Sequence, residues 1–225
     1  MNQRTTRTEL TAEFLGSMSL VMAAVASMIF FVYVLDSHKS IALLANAIAV
    51  AFVLMALIEM FSAISGAHFN PVVTIIMTLD KRIGAKKAVF FILAQMAGGL
   101  AGTAVTHLMF WDEVGVVFAV SQNVRSHAYF GEVIGTFILI LAILMLIKAK
   151  STHIPMMVAF LVGGQLIATS STMFANPQVT IARMLTATTS GIRPTDALVF
   201  IAMQVIGAVL AYAVYQFAFA KEKES

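Results

Sequence analysis

The residues able to do chemistry in this chain are few, and they come in pairs. Glu13 and Glu132 each stand three residues before a glycine, in Glu13-Phe14-Leu15-Gly16 and Glu132-Val133-Ile134-Gly135. Asn70-Pro71 and Asn176-Pro177 each open a short apolar stretch. Gln95-Met96-Ala97-Gly98 is answered by Gln204-Val205-Ile206-Gly207. None of these sets is a covalent or metal centre. The chain has no cysteine and no His-Glu-x-x-His pattern, and its histidines show no ligand spacing. What the pairs offer is hydrogen bonding. Asparagine before proline is a good helix N-cap, and proline at the first helical position is pre-set for the helix. A helix that starts inside hydrocarbon strands its first amide N–H groups, which is tolerated only where backbone lines a wet cavity. Two such starts point to a pore.

The elements that must carry these residues are membrane helices. Of 225 residues, 60% are hydrophobic and 11% charged, against about a quarter charged in soluble domains. This is an integral membrane protein, read as one membrane domain over 1–225. The net charge of +3 is no nucleic-acid signal, because the basic residues sit at helix ends. A bilayer core needs about 20 apolar residues per helix. Six spans meet that need: Glu9–Leu35, Ile41–Phe61, Lys87–Phe110, Tyr129–Ile147, Ile154–Thr172 and Pro194–Ala220. The apolar run from Phe14 to Leu35 is too long for a signal peptide and reads as a retained first helix. Asn70–Leu79 and Asn176–Thr189 are too short to cross and read as half-helices, each entering from one face.

Basic residues set the orientation. With both termini cytoplasmic, Arg4, Arg7, Lys81, Arg82, Lys86, Lys87, Lys148, Lys150, Lys221 and Lys223 fall inside. Lys39, Arg125, Arg183 and Arg193 fall outside. The three recurring landmarks define two repeats, 9–110 and 129–220. Three spans each is an odd number, so the halves are inverted. Inverted repeats place a site at their interface, near the midplane, with half-helix N-termini facing it.

With both Asn-Pro boxes, the lead-in Ser65-Gly66-Ala67-His68-Phe69 and the paired Glu-x-x-Gly motifs, nearly the whole chain resembles the major intrinsic protein family, the aquaporins and glycerol facilitators. The tail Asn176-Pro177-Gln178-Val179-Thr180-Ile181-Ala182-Arg183 resembles a bacterial branch associated with metalloid solutes. The resemblance implies an all-α membrane fold with six transmembrane helices plus two re-entrant half-helices. It implies a homotetramer in the bacterial inner membrane, with one pore per subunit and no cofactor, metal or nucleic acid. Asn70 and Asn176 would point amide donors into the pore. The two positive helix ends would repel cations and orient each passing water. Backbone carbonyls of Gly66, Ala67, His68, Thr172 and Phe174 would form a ladder of acceptors. Glu13 and Glu132 would hold those loops.

The sequence departs from that pattern. The third residue of each box, usually alanine, is Val72 or Gln178. Gln178 either packs against helices and bonds the backbone, or narrows and polarises the pore. The arginine that usually follows the second asparagine by three positions is replaced by Val179. Counting without gaps puts the other constriction positions at Val50, Gly164 and Met173, with Phe52 near the first. A ring of Val50, Gly164, Met173 and Val179 is apolar and wide. Arg183, about two turns beyond Asn176, either lines the outer vestibule or pairs with loop carbonyls or headgroups. His68 lines the inner vestibule or packs in its loop. His38, His107, His127 and His153 read as interfacial. Glu59 lines the inner mouth, meets a neighbouring subunit or snorkels. Asp196 reads as a helix-start charge.

The resulting expectation is a passive channel for water and small uncharged solutes such as glycerol, urea, neutral metalloid acids or organoarsenicals. A water-selective pore is the alternative, and a coupled secondary transporter is a more distant one. No enzyme chemistry is expected.

Overall fold

The computed structural model describes residues 6–220. Arg4, Lys221 and Lys223 of the charge count lie outside the described residues. All regular elements among the described residues are helical. They are α1 (Arg7–Ile29), α2 (Lys39–Ser65), α3 (Pro71–Leu79), α4 (Ala85–Met109), the short α5 (Trp111–Val114), α6 (Tyr129–Lys148), α7 (Ile154–Ala168), α8 (Pro177–Met184) and α9 (Pro194–Val214). Single π turns extend α1 over Phe30–Val34 and α9 over Tyr215–Phe219.

Local chemistry sets the boundaries. Thr6 and Glu9 form a reciprocal cap at the start of α1. Gly66 ends α2 in the left-handed region at φ 89°, where a Cβ would be strained. Asn70 and Asn176 cap α3 and α8, their side chains accepting from Val72 N at 3.0 Å and Gln178 N at 3.1 Å. Pro71 and Pro177 occupy the first helical positions.

Five helical stretches are long and apolar enough to cross a membrane, including α1, α2, α4, α6 and α9. The fifth predicted span, Ile154–Thr172, stops at Ala168. Thr169 turns extended there, its hydroxyl donating to Gln165 O and accepting from Met173 N. The second half-helix is also shorter than the expected Asn176–Thr189. It ends at Met184, where Ala119 N and Ser121 N donate to Leu185 O and Met184 O. That loop contact replaces the next helical turn.

Small residues let the long helices close on one another. A Cβ at Gly98 or Gly102 would run into the Phe14 or Met18 carbonyl of α1. A Cβ at Gly207 would meet the Val133 carbonyl of α6 in the same way. So α1 packs along α4, and α6 packs along α9. The half-helices α3 and α8 are wedged between these pairs and meet at their N-termini.

Candidate pore

The two loops that lead into α3 and α8 are held by matching polar sets. Glu13 accepts from His68 N at 3.0 Å, Phe69 N at 2.8 Å and Ser65 Oγ at 2.5 Å. Glu132 accepts from Phe174 N and Ala175 N, both at 2.9 Å. Each glutamate is also bonded by a glutamine. Gln95 Nε2 donates to Glu13 at 2.7 Å and Thr74 Oγ1 at 2.9 Å. Gln204 Nε2 donates to Glu132 at 2.6 Å and Thr180 Oγ1 at 2.9 Å. The glutamines recur in the sequence, and so do their partners: Thr74 and Thr180 each stand four residues after the asparagine of an Asn-Pro-x-Val-Thr phrase.

These bonds hold backbone that would otherwise relax. Ala67, Phe69, Met173 and Ala175 all have positive φ, at 51°, 46°, 36° and 46°. Each such non-glycine residue costs on the order of 1 kcal/mol or more. The two asparagines then cross-brace the loops. Asn70 Nδ2 donates to Ala175 O at 2.8 Å, and Asn176 Nδ2 to Phe69 O at 2.9 Å. An amide nitrogen carries two protons, so each asparagine retains one donor.

Both asparagines face one cavity of about 630 Å³. Its wall follows α2 from Val50 past Leu54 and Ile58 to Glu59. It continues to Arg82 and Thr152 at that mouth, and reaches Met173, Val179 and Arg183 at the other. Gly66, Ala67, His68 and Phe174 line it. Among the described residues, the carbonyls of Gly66, Ala67 and His68 accept no hydrogen bond from the protein, so they are free to bond a solute. Thr172 is not on this wall. His68 combines both of its readings, lining the cavity while its Nδ1 meets Thr74 Oγ1 at 3.1 Å.

Three of the four counted constriction residues, Val50, Met173 and Val179, are buried in one apolar cluster and face the cavity. Phe52, by contrast, is 61% exposed. Gly164 is a correction. It is exposed, with no atom near a Cβ built on it. One residue earlier, Gly163 turns to α2, where a Cβ would crowd Ala51 and the Ala47 carbonyl. The step of about 100° per residue then carries Gly164 away from the cavity. Val158 and Leu166 of α7 both join Val50, Met173 and Val179 in that cluster and on the wall, and Leu166 is the one near the Met173 end of α7. The side chains on this stretch of the wall are apolar, but the expected glycine is not among them.

Val72 and Gln178 lie off the cavity wall. Val72 packs with Ala208 and Ala211 of α9. Gln178 Nε2 donates to Phe69 O at 3.3 Å, the carbonyl that Asn176 also uses. Its amide oxygen is buried against Gly99, where a Cβ would overlap it. Gly99→Ala is therefore expected to destabilise the protein by about 1–3 kcal/mol. In a Gln178→Ala background the same change should be nearly neutral. Thermal unfolding of the single and double variants in detergent checks this coupling.

Other polar residues differ from expectation. His107 is fully buried rather than interfacial, bonding Val116 O and Thr186 Oγ1. The loop before α6 and the segment after α8 fold over it. Asp196 does more than start α9. It accepts from Arg125 N, Tyr129 Oη and Arg193 Nη2, and so ties three segments together. His38 caps α2, while His127 and His153 are exposed.

The profile of the Major intrinsic protein family matches residues 1–174. The chain is 37% identical over 202 residues to the aquaglyceroporin AqpS of Rhizobium meliloti (strain 1021), covering 90% of this chain and 86% of that one. It is 27% identical over 225 residues to human (Homo sapiens) aquaporin-4, covering 95% of this chain and 68% of that one. The X-ray structure of the aquaglyceroporin from Plasmodium falciparum matches with a TM-score of 0.70 at 18% identity, covering 95% of this chain and 96% of that one. At that identity the likeness speaks for the fold alone. Fold, paired boxes and sequence relatives agree, and the chain belongs to the major intrinsic protein family.

Proposed function

We propose that this protein is a passive channel for water and small uncharged solutes, glycerol, urea and neutral metalloid acids among them. The observation that carries this reading is one cavity faced by both capping asparagines, each with a spare amide proton beside carbonyls that no protein group uses. A solute losing its water shell finds donors and acceptors at the middle of such a path. Val50, Leu166, Met173 and Val179 share one apolar cluster and the cavity wall, with no charged side chain among them, which supports reading them as a constriction ring. We assign selectivity to that ring, with Arg183 lining the vestibule beyond it.

The matching polar sets around Glu13 and Glu132 support two inverted repeats over 9–110 and 129–220, within one domain of 1–225. The same sets argue against a coupled transporter. Both buried glutamates are engaged by backbone amides and a glutamine, which gives each a holding role. The basic residues near the Glu59 mouth favour that face as cytoplasmic, with both termini on the same side, in a bacterial inner membrane. The family resemblance favours a homotetramer. No catalytic role is assigned to any residue.

The class of transport has its own test. Solute entry into proteoliposomes is expected to rise linearly with the gradient and to ignore an imposed membrane potential. Entry that saturates at low concentration, or follows the potential, overturns the channel in favour of coupled transport.

A further inference from the structure

Arg183 is 5% exposed, and what it exposes faces the cavity. Its Nε donates to Ser190 O at 2.5 Å, and its guanidinium carbon lies 3.7 Å from the centre of the Phe174 ring. Among the described residues nothing else in the protein takes a proton from it, and no carboxylate pairs with it. Both Nη nitrogens are therefore without a protein partner, yet neither is sealed from the cavity. A buried charge is ordinarily paired, because leaving it unpaired is costly.

The surroundings add the positive charge of Arg125, and Glu132, which acts on Arg183 through space, makes no ion pair with it. Arg125 places its guanidinium carbon 5.2 Å from the same Phe174 ring. Its Nε donates to Gly191 O. Asp196 is engaged by Arg193, Tyr129 and the Arg125 amide. Glu132 is engaged by two backbone amides and Gln204. Loop amides also occupy the last carbonyls of α8: Ile192 N bonds Arg183 O, and Ser121 N bonds Met184 O. The negative end of that short helix is thereby already capped.

A guanidinium fixed on one edge and backed by a ring presents its remaining N–H groups in one plane. That geometry matches two oxygens of an oxyanion. We infer that the Arg183 end of the cavity binds a small inorganic oxyanion, held by Nη1 and Nη2, and that the bound anion obstructs solute passage. Binding stands without the channel reading; obstruction rests on it.

Inorganic phosphate at constant ionic strength is the probe. Calorimetric titration of the purified protein should give saturable binding of one phosphate per chain. The affinity should fall by about ten-fold in Arg183→Lys, which keeps charge but loses the paired geometry, and binding should vanish in Arg183→Gln. Glycerol entry into proteoliposomes should slow over the same phosphate range. Native protein that takes up no phosphate, or Arg183→Gln that binds it as tightly, overturns the site. If Arg183→Gln fails to give a monodisperse protein, the native protein supplies the test. Phosphate should protect Arg183 from phenylglyoxal, as mapped by peptide mass, and absence of protection overturns the site. Binding without slowed entry overturns the obstruction alone. No glycerol entry even without phosphate overturns the channel reading and leaves the binding result intact.

Discussion

Val179→Arg is expected to reduce glycerol entry by about ten-fold or more, the effect of an added barrier of roughly 1.4 kcal/mol or above. Val179 is 6% exposed, packs with Val50, Leu166 and Met173, and faces the cavity. An arginine there extends a long side chain across the ring. It also stands one helical turn before Arg183, so two guanidiniums lie on one face of α8 and repel. The passing solute then meets a narrower, charged and strongly hydrated constriction. Val179→Leu separates the causes, since it adds volume without charge and should reduce entry much less. Stopped-flow light scattering on proteoliposomes of equal protein content reads both variants, with size-exclusion profiles establishing that each is folded. Equal entry through native protein and Val179→Arg would place the constriction elsewhere on the wall.

Glu132→Ala has the second large effect, and acts through folding. It leaves Phe174 N, Ala175 N and Gln204 Nε2 without their acceptor in a fully buried site. Each orphaned donor costs about 1–3 kcal/mol, so the sum approaches the stability of a typical domain. Met173 and Ala175 hold positive φ next to those amides, and lose the bonds that keep them there. Little monodisperse protein and no solute entry are expected, with Glu13→Ala behaving alike for the first loop. Glu132→Gln keeps one carbonyl oxygen and should recover part of the yield. A coupled transporter makes the opposite prediction, namely that Glu132→Gln stays folded and loses only ion coupling. Yield, thermal stability and flux together distinguish the two.

How much of this was legible in the sequence depends on whether a feature recurs. The Asn-Pro boxes appear twice, each opening a short apolar stretch, so the half-helices could be read from the residues, while the holding role of Glu13 and Glu132 followed only from the family resemblance. The glutamines and the box threonines also recur, but nothing in the sequence joins Gln95 to Thr74 or Gln204 to Thr180, because each pair lies on different helices. Gly164 was misplaced because an ungapped count carries no information about helix rotation. Thr169 ends α7 early, and the phase of that helix is set by Gly163 against α2. Gln178 left two readings open, because its partner Gly99 is distant in sequence and makes room only by what it lacks. His107 at the end of a span reads as interfacial until loops fold over it, and no local pattern announces that cover.

The central claim is an open path through the protein with an apolar ring and no fixed charge in that ring. The most direct measurement compares the initial rates of glycerol and water entry into proteoliposomes of the native protein against empty vesicles. The account predicts glycerol entry well above the empty-vesicle rate. Fast water flow with glycerol entry no faster than through lipid alone would contradict it, and would mean that the ring around Leu166 admits only water.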